Sequence, residues 1–142
     1  MQQRLEDPTS DDLAHLEKQR SWVRDHFEVE ARHQYEDLAG KLRLLQTILD
    51  AKWIEPEETW KLQSLGVTFG DALCQELGLT WVIVMDEFGR GPALQDAQST
   101  ALLFPLTSIS KRIERGEAVE VYELLSQACK TVARIRKQRK IH

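Results

Sequence analysis

Two carboxylates, Asp86 and Glu87, directly follow a run of apolar residues and are candidates for acid–base chemistry. A glycosidase-type mechanism needs two carboxyl groups about 5–10 Å apart across a cleft, and Asp96 could supply the second group. Adjacent residues of a strand point to opposite faces of a sheet, so Asp86 and Glu87 are poorly placed to act as one pair. We therefore expect these acids to solvate or cap a hairpin turn.

Basic residues near the same turn form a second group with chemical potential. Arg90 lies in the predicted turn, and a short predicted helix downstream carries three further cations interleaved with glutamates. Such side chains bind phosphates or a partner's carboxylates through charge-assisted hydrogen bonds. We favour ion pairs of these helix cations with Asp86, Glu87 or Asp96, which would fix the helix against the sheet and provide interface anchors. The predicted binding surface consists of Asp86, Glu87, Arg90, Lys111, Arg112 and Arg115.

Histidines and cysteines form neither a metal-binding nor a nucleophilic pattern. The sequence has no H-x-x-x-H pair, and His26 and His33 are too far apart to share one ion. Cys74 and Cys129 stand alone within helical segments, which predicts two buried thiols. We therefore predict no catalytic residues, no cofactor and no metal site. Surface or helix-packing roles are expected for His15, His26, His33 and His142.

The length of 142 residues fits one domain, because a domain of this size buries roughly 70% of its unfolded surface. The longest apolar runs, 81–85 and 101–106, are far shorter than the ~18 residues of a membrane span. The N-terminus carries no apolar signal segment. We expect a cytoplasmic domain with no membrane partner, divided into a helical region 1–54, a core 55–125 and a basic helix end 126–142.

Charge is unevenly distributed along the chain. Up to Glu123 there are 13 basic and 23 acidic residues, and after it there are six basic residues and no acidic one. Cations near a helix C-terminus are stabilised by the helix dipole, by about 0.3–1 kcal/mol each. Nucleic-acid binding would also require aromatic groups, and no aromatic residue follows Tyr122. We favour the structural role, with nucleic-acid binding by the tail as the alternative.

The hydrophobic pattern predicts an α+β fold with three N-terminal helices, a three-stranded antiparallel β-meander and two C-terminal helices. The first helix starts within 7–12 and its apolar stripe runs to about Tyr35. The second covers Tyr35 or Leu38 to Ala51, and the third runs from Pro56 to Gly78. The remaining predictions are strands at 80–86, 93–95 and 101–104, a turn at 88–92, a short helix ended by Gly116, and a long C-terminal helix.

Two glycines and a tryptophan in this pattern make specific predictions about packing. Gly66 and Gly70 share one face of the third helix, where each costs about 1 kcal/mol relative to alanine. This cost predicts the close approach of another backbone, that of the following strand. The apolar linker Trp53-Ile54 is expected to pack its large ring onto the core.

Three stretches of the central region share a dense spacing of Gly, Pro, Trp and charged residues. They are W-x-L-Q-S-L-G-V-x-x-G-D-A-L at 60–73, L-x-W-V-x-V-x-D-E-x-G-R-x-P-A-L at 79–94 and F-P-L-T-x-I-S-K-R-x-E-R-G-E at 104–117. Together they resemble the bacterial family catalogued as domain of unknown function 3806, over roughly Leu38 to Leu125. The resemblance implies a small cytosolic α+β module with no established activity, cofactor or catalytic residues, so no functional residue is carried over.

The sequence favours a non-enzymatic protein-binding module, since it combines an acidic body with four tryptophans and no catalytic set. One specific form is an immunity protein that masks a basic toxin, because opposite surface potentials accelerate capture. The alternative is a small-molecule or phosphate-binding regulator or enzyme that uses the charges at the hairpin edge. The first helix, with apolar residues such as Leu13 and Phe27, could pack on its own domain or pair with a second copy.

Overall fold

The computed structural model describes residues 2–141, and the side chains of residues 2–138. It has an α+β architecture with six helices and an antiparallel sheet of four strands. The α+β class is confirmed, but the predicted three-stranded meander and the three-plus-two division of helices do not match. The elements in order are β1 Arg4–Glu6, α1 Ser10–Arg24, a 3-10 helix Val29–Glu36, α2 Leu38–Ala51, α3 Thr59–Leu77, β2 Thr80–Asp86, β3 Gly89–Gln95, β4 Leu102–Leu103, α4 Pro105–Glu114 and α5 Val121–Ile141.

The sheet has the strand order β1-β2-β3-β4, and each neighbouring pair is antiparallel. β2 and β3 pair along their whole lengths, from Thr80 opposite Gln95 to Asp86 opposite Gly89. The turn is therefore the two residues 87–88, and the prediction of a turn at 88–92 is wrong. Pro92 is tolerated inside β3 because β4 pairs only with the end of β3, which leaves Pro92 on a free edge.

The strand missing from the prediction is β1, which pairs with the outer edge of β2. Its three residues, Arg4 to Glu6, are mostly exposed and carry no apolar alternation. A strand this short gives no periodic signal. It forms because the apolar β2 would otherwise present an unpaired edge of backbone amides and carbonyls.

Helix α1 begins where predicted but ends earlier. A capping box starts it: Thr9 Oγ1 accepts from the Asp12 amide at 3.2 Å, and the Asp12 carboxylate accepts from the Thr9 amide at 2.8 Å. The predicted continuation to Tyr35 is wrong, because the chain turns after Arg24 and resumes as the 3-10 helix. The ring Nδ1 of His26 lies 2.9 Å from the Trp22 carbonyl and satisfies part of the helix end.

The two helical glycines allow α4 to lie directly on α3. A Cβ at Gly66 would lie 2.5 Å from the Cα of Leu106 and 2.6 Å from the carbonyl oxygen of Pro105. A Cβ at Gly70 would meet the Trp81 ring at 2.5 Å. The predicted close approach is thus present, but the backbone involved is the start of α4 and not the following strand. That strand contributes the Trp81 ring instead.

The main core lies between α1, α2, α3, α5 and the sheet, with Leu45, Leu65 and Val121 fully buried. The three consecutive residues at 82–84 of β2 are all buried, so both sheet faces are covered there, as the unbroken apolar run predicts. The predicted packing of Trp53 onto the core is wrong: its ring is 57% exposed, and its neighbour Ile54 packs there instead. None of the helices within residues 2–141 is long and apolar enough to cross a bilayer.

Candidate functional site

Three of the six predicted surface residues lie at the β2–β3 hairpin. The Asp86 carboxylate accepts from the Phe88 amide at 2.8 Å and so caps its own turn. Arg90 donates two hydrogen bonds of 2.6 Å to Asp12 at the start of α1. Hydrogen bonds from Arg90 and from the Thr9 amide hold the pKa of the Asp12 carboxyl well below its usual range. Glu87 is exposed in the turn.

The other three predicted residues, Lys111, Arg112 and Arg115, lie at the C-terminal end of α4. Its N-terminal end contributes Phe104 and Leu106 to a hollow of about 270 Å³ shared with Asp86 and Arg90. Lys111 and Arg112 are in the last turn, and Arg115 follows it. Arg112 donates to the Ser108 carbonyl at 2.7 Å and lines a different hollow. The structure therefore brings Asp86 and Arg90 together and places the α4 cations elsewhere, because a ten-residue helix is about 15 Å long.

Asp96, the suggested second carboxylate, is buried at the end of β3 and is held by the C-terminal helix. Arg136 Nε and Nη2 donate to its two oxygens at 2.8 and 2.9 Å, and Ser99 Oγ donates at 2.6 Å. These hydrogen bonds, those from Arg136 above all, lower the pKa of Asp96 despite its burial. One cation of the basic tail thus anchors α5. The side chains of Arg139 and Lys140, and the whole of His142, lie outside the described residues.

Asp71 of α3 is a second carboxylate with several hydrogen-bond donors, and it joins four elements. Arg20 of α1 donates to it from Nε at 2.5 Å and from Nη2 at 2.8 Å. Tyr35 of the 3-10 helix donates its hydroxyl at 2.7 Å, and Trp81 of β2 donates Nε1 at 3.2 Å. Thr68 lies 2.9 Å from the same hydroxyl. Burial, together with the negative charge of Asp71, raises the pKa of Tyr35 and keeps the phenol protonated as a donor.

An open hollow of about 570 Å³ lies beside this network, and Lys41 and Cys74 are among the residues that line it. Lys41 is buried, donates to Gln75 at 2.7 Å and lies 5.2 Å from the Tyr35 ring centroid. Burial lowers the pKa of Lys41. Burial also raises the pKa of Cys74 to about 12, which keeps it as the unreactive thiol. With the Asp71 oxygens occupied by donors, this arrangement is suited to joining elements and not to nucleophilic or acid–base chemistry.

Aromatic rings gather on the surface between the end of α1 and the start of α3. The Trp22 ring meets His26 edge-on at 4.7 Å and Trp60 at 6.0 Å between centroids. Trp53 stacks on His26 with centroids 5.9 Å apart and planes 16° apart. Lys52 ends α2 in the left-handed conformation, with φ 54°, and so directs the chain toward this position. Left-handed backbone is uncommon for a residue with a side chain and marks a defined path.

An apolar groove of about 580 Å³ is lined by Lys52 and Ile54, the two chain neighbours of Trp53 in the linker 52–58. Its floor includes Ile48, Ile54 and Leu65, and its rim is acidic. We call the aromatic cluster and this groove together the linker face. The charged residues of the rim are four carboxylates and one ammonium group, from Asp50, Glu55, Glu117, Glu120 and Lys52.

Among the side chains that the structure describes, no group of three or more His, Cys, Asp or Glu is placed to hold a metal ion. A family profile described as a domain of unknown function (DUF3806) matches residues 41–124, more than half of the chain. The chain belongs to the DUF3806 family. The matched region includes α3, Asp71 and Trp53, whereas α1, with Arg20 and Trp22, lies outside it.

A solved structure from Bacteroides thetaiotaomicron VPI-5482 is similar to this DUF3806 protein, with a TM-score of 0.74 over 91% of the chain. The sequence identity is 16%, so the similarity concerns the fold alone. This chain spans about half of that protein, 48% of its length. No curated protein shows significant sequence similarity to the chain.

The contacts that the sequence did not predict are those between residues far apart in the chain. Arg20 and Asp71 are 51 positions apart, and Arg90 and Asp12 are 78 apart. Nothing in the local pattern of charges distinguishes these pairs from solvated side chains. Trp53 did carry a signal, because it stands in a short linker rich in acidic residues, where a large ring is unusual.

Proposed function

We propose that this DUF3806 protein is a non-enzymatic protein-binding module that binds a basic protein through the linker face. The observation that carries the proposal is Trp53, which is 57% exposed and stacks on His26, while its chain neighbours Lys52 and Ile54 line an apolar groove with an acidic rim. An exposed indole that is already ordered loses little conformational entropy on binding. Residues of this kind dominate interface energetics.

Charge supports a basic partner. The groove rim carries four carboxylates against one ammonium group, and residues 1–123 carry 13 basic against 23 acidic residues. A negative surface of this kind accelerates encounter with a positive one and disfavours acidic partners. An amphipathic basic segment or a basic surface with an apolar centre would satisfy both the rim and the floor.

The specific form that we propose is an immunity protein acting in the bacterial cytoplasm, where it masks a toxin whose active site is basic. Such a role requires only occupation of a surface, so a site built from rings and carboxylates is sufficient. Homo-oligomerisation through α1 has weaker support. Leu16 and Val23 of this helix are buried against the same chain, and Leu13 is its most exposed large apolar residue.

The alternative of a phosphate-binding regulator at the hairpin edge also has weaker support. Both guanidinium nitrogens of Arg90 that make hydrogen bonds are directed to Asp12, so their charge is compensated. Lys111 and Arg112 lie at the far end of α4 and do not join Arg90. A phosphate would have to displace the Asp12 carboxylate to bind there.

The test compares two exposed aromatic residues on different surfaces. Tagged wild-type, W53A and F88A chains are used to capture partners from the native host, and a retained partner is then produced alone for calorimetry. W53A should weaken binding by about 30-fold or more, the effect of losing a hot-spot residue. Phe88 is 90% exposed on the hairpin, and F88A should leave the affinity within about 2-fold.

The charge component is tested with lysine substitutions at Asp50, Glu55 and Glu117. The triple variant should lower the association rate by about 10-fold at low salt, and the difference should shrink at high salt. A partner that is acidic, or one that binds W53A normally and fails to bind F88A, would contradict the proposal. The immunity form fails separately if co-expression gives no growth protection against a toxin that binds the chain.

A further inference from the structure

The last turns of α5 carry three exposed cations on one face. Lys130, Arg134 and Lys137 follow one another at steps of four and three residues, which place them within about 60° of one another around the helix axis. None of the three forms an ion pair with a side chain that the structure describes. We call these three residues the cationic face. The fold leaves their three positive charges without a paired carboxylate among the described residues.

The other side of α5 is fixed to the body of the protein. Arg136 donates from Nη2 to the Leu77 carbonyl at 2.7 Å, in addition to its two hydrogen bonds to Asp96. Val132, one turn earlier on the same side of the helix, is fully buried. These contacts hold α5 in one orientation, so the backbone under the cationic face is already ordered before any partner binds.

The linker face carries the opposite charge. The rim of its groove has four carboxylates and one ammonium group, a net charge of −3 against +3 from the three residues of the cationic face. Lys and Arg side chains also cover apolar surface with their aliphatic stems while their charged ends stay at a polar edge. Three such side chains match both the acidic rim and the apolar floor. The cationic face thus has the chemistry that the linker face requires of a partner.

The cationic face does not reach the groove of its own chain. Glu120 lines the groove directly before α5 begins, and none of the described residues of α5 lines it. Lys130 is ten residues after Glu120, so the cationic face begins about 15 Å along the helix axis and extends to about 25 Å at Lys137. Because Arg136 holds α5 in place, the groove can receive a cationic face only from another copy.

We infer that the linker face of one copy binds the cationic face of a second copy, with ion pairs at the rim and the Lys and Arg stems over the floor. This assignment rests on the proposed function, because it names an occupant of the linker face. The two surfaces are different, so the contact is head-to-tail and each added copy leaves one of each surface free for the next. A second copy covers the linker face until a protein of higher affinity displaces it.

The experiment measures the average mass of the full chain by analytical ultracentrifugation at about 10 mM and about 1 M salt, where charges are screened over about 30 Å and 3 Å. We expect self-association with a dissociation constant of about 0.1 mM at low salt, a value appropriate to a small polar interface. Protein concentrations on both sides of that value are compared. At high salt the wild-type chain should be monomeric throughout, because exposed ion pairs are then screened.

Two triple variants each reverse the charge of one surface. Alone, each should stay monomeric at low salt, because the two surfaces then carry the same sign. An equimolar mixture should associate, because every surface of one variant meets a surface of opposite charge on the other. The two variants are K130E/R134E/K137E and D50K/E55K/E117K. The matched control reverses three exposed cations on β1, α1 and α4 and should associate as the wild type does. It is R4E/K18E/K111E.

The assignment is overturned if the wild-type chain is monomeric at low salt, whether or not a labelled DNA duplex then binds the cationic face. It is also overturned if either triple variant alone associates as the wild type does, if the control loses association, or if the mixture stays monomeric. Should a triple variant fail to fold, NMR of the wild type decides: amides of 130–137 and 50–55 that do not shift with protein concentration reject the contact. The proposed function is judged separately, because capture with wild-type and W53A chains is carried out far below 0.1 mM, at roughly micromolar concentration, where the chain is monomeric.

Discussion

Gln19 and Arg20 are consecutive residues of α1, yet their polar groups are in opposite situations. Arg20 donates two hydrogen bonds to Asp71 and a third, of 2.8 Å, to Glu17, while the Gln19 amide has no partner among the described residues. Arg20 serves to join α1 to α3. Gln19 makes no comparable contact among the described residues, and a buried amide without partners is unfavourable. The difference separates a polar group that stabilises the fold from one that makes no stabilising contact among the described residues.

The same criterion explains why the strongest electrostatic sites are poor candidates for function. Asp71 and Asp96 each accept several hydrogen bonds from charged or neutral donors. The lowered pKa of Asp96 leaves its carboxylate little capacity to accept a substrate proton. Perturbed ionisation alone is therefore ambiguous, since a structural ion pair also produces it. The unsatisfied groups and exposed ordered rings are more informative about binding.

The largest predicted effect is the loss of stability when Asp71 loses its Arg20 partner. Arg20→Met leaves the Asp71 carboxylate, whose side chain is 12% exposed, without its charged partner. We expect the free energy of unfolding to fall by about 3 kcal/mol, since an unpaired buried charge is strongly unfavourable. Urea denaturation followed by circular dichroism measures it.

Arg24→Met is the control for Arg20→Met. Arg24 is one turn further along α1 and pairs at 3.1 Å with Glu17, whose side chain is 51% exposed. A pair of that kind contributes below about 1 kcal/mol. If the two variants lose the same stability, the Asp71 network is not the anchor that its geometry indicates, and the contrast with Gln19 fails.

Prediction from sequence succeeded where the determinants of structure are local. β2 was predicted with its observed bounds because its β-forming residues are contiguous and end at a turn. The end of α3 follows from Gly78, which adopts φ 71° and donates to the Cys74 carbonyl at 2.9 Å. α2 has the observed bounds Leu38–Ala51, within the predicted range.

Prediction failed where the structure depends on contacts between residues that are far apart in the chain. The apolar stripe of α1 continues in the sequence past Phe27, but the His26 side chain bonds the helix end and the chain turns. The turn brings Tyr35 to Asp71, 36 positions away. In the sequence, Arg136 is one of several tail cations. Its contact is with Asp96, which lies 40 positions away in the chain. The sequence did not single out Gln19, because whether an amide has hydrogen-bond partners depends on the residues that pack around it in the fold.

The stability that the Asp96 carboxylate contributes should depend on pH. Because its pKa is lowered in the folded state, its carboxylate stabilises the fold above the unfolded pKa of about 4, and this contribution is lost as pH falls through the folded pKa. Asp96→Asn should therefore cost about 2 kcal/mol at pH 7. The difference from wild type should shrink as the pH falls below about 4.

Denaturation of both chains between pH 7 and pH 2 measures this difference, and the other carboxyl groups are common to both and cancel. Ser99→Ala is the smaller perturbation, since it removes two hydrogen bonds of the hydroxyl, one of 2.6 Å to Asp96 and one of 3.2 Å from the Ala101 amide, and keeps the Arg136 pair. We expect it to cost about 1 kcal/mol. A difference between wild type and Asp96→Asn that stays constant down to pH 2 would show that the carboxylate charge is not what stabilises this site.

The smallest predicted effect has the opposite sign and bears directly on the contrast between the two neighbours on α1. Gln19→Met replaces an unpaired buried amide with an apolar group of similar size, so the free energy of unfolding should rise by about 1 kcal/mol. Gln75→Met removes an amide that donates to the Glu36 carbonyl and accepts from the buried Lys41, so it should lower the free energy of unfolding by about 1–3 kcal/mol. Thermal and urea denaturation of the two variants give the signs. A loss of stability in Gln19→Met would mean that the amide is satisfied in solution and that Gln19 belongs with Arg20 among the residues that hold the fold.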